Sequence, residues 1–173
     1  MALIETYDLD VFSPPCDPGA ERYAAKARLS VDISDALPYL NATLRGAVYH
    51  KAASALTWTK GGRKVAFHPR EIAISNLEDR EQAAAEIRKI VDLVNRTWAR
   101  RGEITPDEST RRAPSAIEVY KLLPGTNCKR CGEASCFAYA VKLAAGQQDL
   151  EHCPPLFEGP YAEQRRRLEA LLL

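Results

Sequence analysis

The chain has no excess of charge of either sign, with 24 Lys+Arg against 23 Asp+Glu and a formal net charge of +1. Cutting it after Ala113 leaves 17 basic against 16 acidic residues before the cut and 7 against 7 after it. Neither part has the basic surplus on which phosphate-backbone binding rests, so nucleic acid is not an expected partner. No apolar run approaches the roughly 18 residues of a membrane span. The start Met-Ala-Leu-Ile-Glu-Thr lacks the basic, apolar and small-residue pattern of a secretory leader, so a cytoplasmic chain is expected. Internal repeats, paired carboxylates and nucleophile-and-base pairs are absent as well. Gly61-Gly62 is too short for a phosphate loop and lies between strand-like segments rather than ahead of a helix. The residues therefore offer no support for an intrinsic catalytic reaction. What is there is an ordinary globular composition, 46% hydrophobic and 27% charged over 173 residues. That is enough for one core or for a main domain with a small appended one.

The local patterns predict an α+β fold. The first thirty residues are hard to read beyond an irregular loop, Ser-Pro-Pro-Cys-Asp-Pro-Gly at 13–19. A short helix is expected after Ser34 or Asp35, with Pro38 in its first turn and an end near Gly46. Ala47–His50, Ala55–Thr59, Lys64–His68 and Glu71–Ser75 have the β-propensity of short strands, with Gly61-Gly62 forming a tight hairpin, and together they predict an antiparallel β-meander. From Glu78 to Arg100, Ala83, Ile87, Ile90, Val91, Val94 and Trp98 recur at steps of three and four, the period of an amphipathic helix. Trp58 and Trp98 are expected in the core. Gly102–Ala113 is polar and contains Pro106, which suits a surface linker, so an α+β domain at 1–113 and a small helical domain at 114–173 are expected. In the second part Ser115-Ala-Ile-Glu118 has the form of a capping box. Helices are expected at about Ala134–Ala145, with Gly146 as cap, and at Tyr161–Leu172.

The chemistry-bearing pattern is Cys128-x2-Cys131-x4-Cys136-x16-Cys153, followed by Pro154. In a reducing compartment closely spaced cysteines point to metal rather than disulfides. Four thiolates match the four irons of one 4Fe-4S cluster, with soft sulfur ligands suited to iron. Cys136 would fall in the first turn of a helix, where free N–H groups and the dipole favour an anionic centre. Gly132 would give close backbone approach or a positive φ. Structural zinc is the rival, since Cys128-x2-Cys131 also fits half a zinc site, but Cys136-x16-Cys153 does not repeat that spacing. The fifth cysteine, Cys16, is expected to be a free or buried thiol. Lys129 and Arg130 either raise the potential of the centre and dock an acidic partner or form a solvated loop. His50, His68 and His152 are scattered, with only His152 beside a candidate ligand.

The run Leu123-Pro-Gly-Thr-Asn-Cys-Lys-Arg-Cys-Gly-Glu-Ala-Ser-Cys-Phe-Ala-Tyr-Ala-Val-Lys-Leu-Ala, with Glu-His-Cys-Pro-Pro-Leu156, resembles the small iron-sulfur domain of the corrinoid protein's large subunit in acetyl-CoA decarbonylase/synthase. Similar domains occur in the B subunit of the Rnf complex and in reductive activators of corrinoid proteins. The resemblance spans about Ser115–Leu156. It implies that Cys128, Cys131, Cys136 and Cys153 ligate one 4Fe-4S cluster that passes electrons to a partner. It does not extend to methyl transfer, because the chain has no room for the barrel and cobalamin-binding region of that subunit. The expected function is single-electron transfer from a ferredoxin or flavoprotein to a redox partner, with a corrinoid protein or methyltransferase in need of reductive reactivation as the candidate. The alternative is a docking or adaptor module in which the cluster, or zinc, is structural.

Overall fold

The computed structural model describes residues 2–13 and 22–172. Packing divides the chain into two units, Met1–Trp58 with Arg63–Arg111, and Thr59–Gly62 with Arg112–Leu173.

The first unit is built on a six-stranded sheet. Its strands are β1 (Tyr7–Phe12), β2 (Tyr23–Leu29), β3 (Val48–His50), β4 (Ala55–Lys60), β5 (Arg63–His68) and β6 (Glu71–Leu77), in the order β1-β2-β6-β5-β4-β3. The expected meander is present as β3 to β6. Gly61 and Gly62 take φ +58° and +78° in the tight β4-β5 hairpin. Two strands not foreseen complete the sheet: β2 pairs antiparallel with β6, and β1 pairs with β2.

The register places one apolar face together. Ile72 stands between Ala27 and Phe67, and Ile74 between Ala25 and Val65, and all six are buried. Asn76, at φ +65°, accommodates an irregularity where Tyr23 pairs Leu77 but Ala25 pairs Ile74.

Helix α2 (Arg80–Ala99) packs on β1, β2 and β6 through Ala83, Ile87, Ile90, Val91 and Val94. Ala25 and Ala27, each fully buried, keep the sheet low beneath it. Asp79 caps the helix, its carboxylate accepting from the Gln82 N–H at 2.7 Å. Trp58 and Trp98 are partly buried at the edge of the core. Trp98 meets Tyr39 edge-to-face and carries the Arg101 guanidinium over its ring at 4.5 Å.

A 3-10 turn at Ser34–Ala36 leads into α1 (Leu37–Thr43), with Pro38 in its first turn as expected. Residues 105–115 have no regular secondary structure. Their first half is fastened to α1: the Asp107 N–H donates to the Pro38 carbonyl at 3.0 Å, and the buried Asn41 amide donates to the Asp107 and Ser109 carbonyls at 2.9 and 3.1 Å. The Ser109 hydroxyl and then the Arg111 guanidinium hold the Asp107 carboxyl down at about 2. The proline-rich loop expected at 13–19, with Cys16, lies outside the described residues apart from Ser13.

The second unit is helical: α3 (Ala116–Leu122), α4 (Cys136–Ala144), α5 (Pro154–Glu158) and α6 (Ala162–Leu171). Its core consists of Val119, Leu123, Tyr139, Ala140, Leu143, Leu150, Leu156 and Leu168 together with Cys136 and Cys153. No helix among the described residues is long and apolar enough to cross a membrane.

Candidate metal centre

The cysteine loop is set by what stops α3. Ser115 and Glu118 form the expected capping box, the Glu118 carboxylate accepting from the Ser115 N–H at 2.8 Å and the Ser115 hydroxyl accepting from the Glu118 N–H at 3.3 Å. At the other end Pro124 disfavours helical backbone at Leu123, which is extended at ψ 156°.

Thereafter the chain enters the left-handed region four times in eight residues, at Gly125, Asn127, Lys129 and Gly132. Backbone that alternates in this way turns successive N–H groups toward one side and makes a concavity suited to an anion. A Cβ at Gly125 or Gly132 would meet nothing within 4 Å. Of the two roles considered for Gly132, the one observed is therefore its φ of +82°, not close approach.

Both buried cysteines sit at helix N-termini. Cys136 is the first residue of α4, whose N-cap Ser135 accepts from the Ala138 N–H at 3.1 Å. Cys153 is the N-cap of α5, and Pro154 opens that helix. Reciprocal bonds join Cys136 to the loop: the Asn127 N–H donates to Cys136 Sγ at 3.3 Å, and the Cys136 N–H donates to Asn127 Oδ1 at 2.8 Å.

Burial pushes the Cys153 thiol up, the Leu156 N–H pulls it down, and the charges of Cys131, Cys136 and Cys128 push it up again. Cys131, Cys136 and Cys128 thus lie near enough to act on Cys153 electrostatically. Cys128 is exposed. The Arg130 N–H, then the Thr126 hydroxyl, hold its thiol below the usual range.

Three further contacts brace this arrangement. The Tyr139 hydroxyl donates to the Asp149 carbonyl at 2.7 Å, fixing the segment that returns to Cys153, and burial, then Cys153 and Cys131, push the phenol up. Arg130 pairs with Glu158 of α5 at 2.7 Å. Lys142 pairs with Glu133 at 2.7 Å. The Arg130 charge is thus used within the unit, while Lys129 adopts φ +59° on the exposed loop.

Asn127, Tyr139 and the Arg130–Glu158 pair were not anticipated. Only Asn127 had a legible signal, as a residue tolerant of left-handed backbone directly before Cys128. His50, His68 and His152 are all exposed. Among the described residues no three His, Cys, Asp or Glu side chains form the close set that holds a single metal ion.

Four cysteines on one loop and two helix N-termini are a donor set suited to iron. Residues 123–155 match the family described as "Putative Fe-S cluster". Over 58 residues, 34% of this chain, it is 47% identical to the acetyl-CoA decarbonylase/synthase complex subunit gamma of Methanothermobacter thermautotrophicus and 40% identical to that of Methanocaldococcus jannaschii. Over 40 residues it is 45% identical to the corrinoid/iron-sulfur protein large subunit of Moorella thermoacetica. The chain spans only 12% of the first two relatives' length and 9% of the third's. No solved structure matches it.

Proposed function

We propose that Cys128, Cys131, Cys136 and Cys153 hold one 4Fe-4S cluster and that the chain passes single electrons through it to a partner protein. One observation carries the reading. Cys136 and Cys153 belong to the small core, Cys131 packs against it, and Cys128 alone is exposed. Such a set would bury three corners of a cube and leave one near solvent, where an electron can enter or leave.

The fit is supported by the donor set: four cysteines in one unit, with Cys136 and Cys153 at helix N-termini and the Asn127 N–H donating to Cys136 Sγ, are soft ligands suited to iron. When bound, the cluster supplies a one-electron couple whose potential depends on hydrogen bonds to its sulfurs and on exposure. The chain buries Cys136 and Cys153, leaves Cys131 half-buried and Cys128 exposed, and donates the Asn127 N–H to Cys136 Sγ. A reducing compartment, the cytoplasm, suits four free thiols.

For the partner we look to the relatives, whose names include a corrinoid/iron-sulfur protein. Returning cobalt(II) to cobalt(I) takes one electron, which one cluster can supply. We therefore propose a corrinoid protein as acceptor, with a ferredoxin or flavoprotein as donor. The test is to reduce the anaerobically prepared protein, mix it with an oxidised corrinoid protein and a methyl donor that traps cobalt(I), and follow cobalt by absorbance. Oxidation of the cluster matched by loss of cobalt(II) supports the reading. No exchange on a catalytic timescale removes the corrinoid acceptor.

A further inference from the structure

Among the described residues six large apolar side chains are exposed, and five of them, Ile117, Tyr120, Phe137, Val141 and Phe157, belong to the second unit. Four form one surface. Ile117 and Tyr120 are three apart on α3, and Phe137 and Val141 are four apart on α4, so each pair shares a helix face. The Tyr120 and Phe137 rings meet edge-to-face at 5.6 Å between centroids, which joins the two stripes into one patch. The side chains are exposed at 59% for Ile117, 47% for Phe137, 44% for Val141 and 37% for Tyr120.

Helix α4 is the unusual element. It reads Cys-Phe-Ala-Tyr-Ala-Val-Lys-Leu-Ala, with Lys142 its only charged residue. The inward side is satisfied by Cys136, Tyr139, Ala140 and Leu143, yet the outward side repeats the apolar pattern. A helix apolar on all sides is normally covered.

Charge around the patch says by what. Residues 116–145 hold four basic side chains, Lys121, Lys129, Arg130 and Lys142, against two acidic ones, Glu118 and Glu133; Arg130 pairs with Glu158 and Lys142 with Glu133, which leaves Lys121 and Lys129 as the positive charges outside those ion pairs. Glu118 is bonded to Ser115 and Arg112, and Glu133 to Lys142 and Gln148. Lys121 follows Ile117 by four residues, so it stands at the border of the apolar face, and no ion pair of Lys121 is found among the described residues. Phe137 is the neighbour of Cys136, which places the patch beside the metal centre. The stretch 146–173 has five acidic residues against three basic ones, so within 116–173 the basic surplus lies with the α3-α4 stretch.

We infer that the α3-α4 face, with Ile117, Tyr120, Phe137 and Val141 at its centre and Lys121 at its rim, docks a small acidic electron-carrier protein of the ferredoxin kind that exchanges electrons with the cluster. The inference rests on the electron-transfer reading above. An apolar centre supplies contact area, and the basic rim steers an acidic partner and sets orientation.

The test uses full-length, cluster-loaded protein and a reduced acidic 2[4Fe-4S] ferredoxin as probe, with titanium(III) citrate as a reductant that needs no docking site. In stopped flow, I117S/V141S should lower the second-order rate constant with ferredoxin at least tenfold. K121E should lower it several-fold and flatten its decline with salt. Reduction by titanium(III) and iron content should be unchanged in both variants. Both substitutions are at exposed positions, so unchanged iron content also shows that the unit is folded. If titanium(III) itself fails to reduce the wild type, the electron-transfer reading falls. If titanium(III) works but ferredoxin transfers no electron, or transfers equally fast to the variants, the docking inference is overturned and the function stands. Concentration-dependent dimers in sedimentation that I117S/V141S abolishes would also overturn it, since a second copy would then occupy the face.

Discussion

The two units reach stability by different routes. Among the described residues the first buries a core of 22, drawn from a sheet, two helices and the segments that join them, with Phe67, Ile72, Leu77 and Ile87 completely enclosed. The second has a core of ten, of which two are cysteines and one is an alanine. Units of about 60 residues seldom gain enough from burial alone and use a disulfide or metal as a staple. The second unit also places four left-handed residues, Gly125, Asn127, Lys129 and Gly132, beside its cysteines, a backbone cost that so small a core does little to offset. The comparison teaches that the first unit is organised by its hydrophobic pattern, whereas the proposed cluster would supply the second with what its small core lacks.

The two tryptophans make this separable, because Trp58 and Trp98 both belong to the first unit. The largest expected effect is removal of the metal. Chelation, or serine at any one of Cys128, Cys131, Cys136 or Cys153, should abolish the visible absorbance and reduce helical circular dichroism. The urea transition seen by tryptophan fluorescence should move little. Cys16→Ser should leave iron content unchanged. A fluorescence transition that collapses with the metal would break the comparison.

The converse is Phe67→Ala, which empties a fully buried position on β5 and should cost about 3–5 kcal/mol. The loss should appear in tryptophan fluorescence, with the iron-to-protein ratio retained.

Smaller effects sharpen the account of the metal centre. Asn127 contributes a left-handed φ of +47° and an acceptor for the Cys136 N–H. Asn127→Ala loses both and should cost roughly 1–2 kcal/mol from the backbone alone, hastening cluster loss to a chelator and shifting the reduction potential. Asn127→Gly keeps the conformation, so whatever it restores belongs to the backbone and the residue belongs to Oδ1. Equal behaviour of both variants with wild type would show that Asn127 does not position Cys136.

The smallest effect concerns the stretch between the units. The Arg112 side chain is 76% exposed, whereas Arg111 is held by Asp107 and Asn41. Trypsin should cut after Arg112 first. Asn41→Ala, losing two hydrogen bonds at about 1 kcal/mol each, should add cleavage after Arg111. Cleavage inside α2 before either site would refute the order.

What could be read in the sequence follows the same division. The stripe on α2, the β3-to-β6 meander and the capping box are local patterns and were legible. Strand β2 was not, because Tyr-Ala-Ala-Lys-Ala-Arg-Leu has more helix than strand propensity. It is a strand because Ala25 and Ala27 let α2 lie close and because β6, more than forty residues away, pairs with it. Strand β1 alternates Leu9 and Val11 with Asp8 and Asp10, yet its place at the sheet edge depends on β2. In the second unit the cysteine spacing and Gly132 were visible. The Asn127–Cys136 pair and the Arg130–Glu158 bridge depend on loop geometry that no periodicity encodes. Helix α5 is too short to show a period, although proline in its first turn is compatible with a start.

The central claim is that the second unit holds one redox-active 4Fe-4S cluster on its four cysteines. Anaerobically purified protein should be analysed for iron, acid-labile sulfide and zinc, then titrated with reductant while electron paramagnetic resonance is recorded. The account predicts about four irons and four sulfides per chain and a reduced-cluster signal that appears reversibly with one-electron behaviour. Stoichiometric zinc without sulfide would contradict the cluster, and a cluster that cannot be reduced without unfolding the unit would contradict its role as an electron carrier.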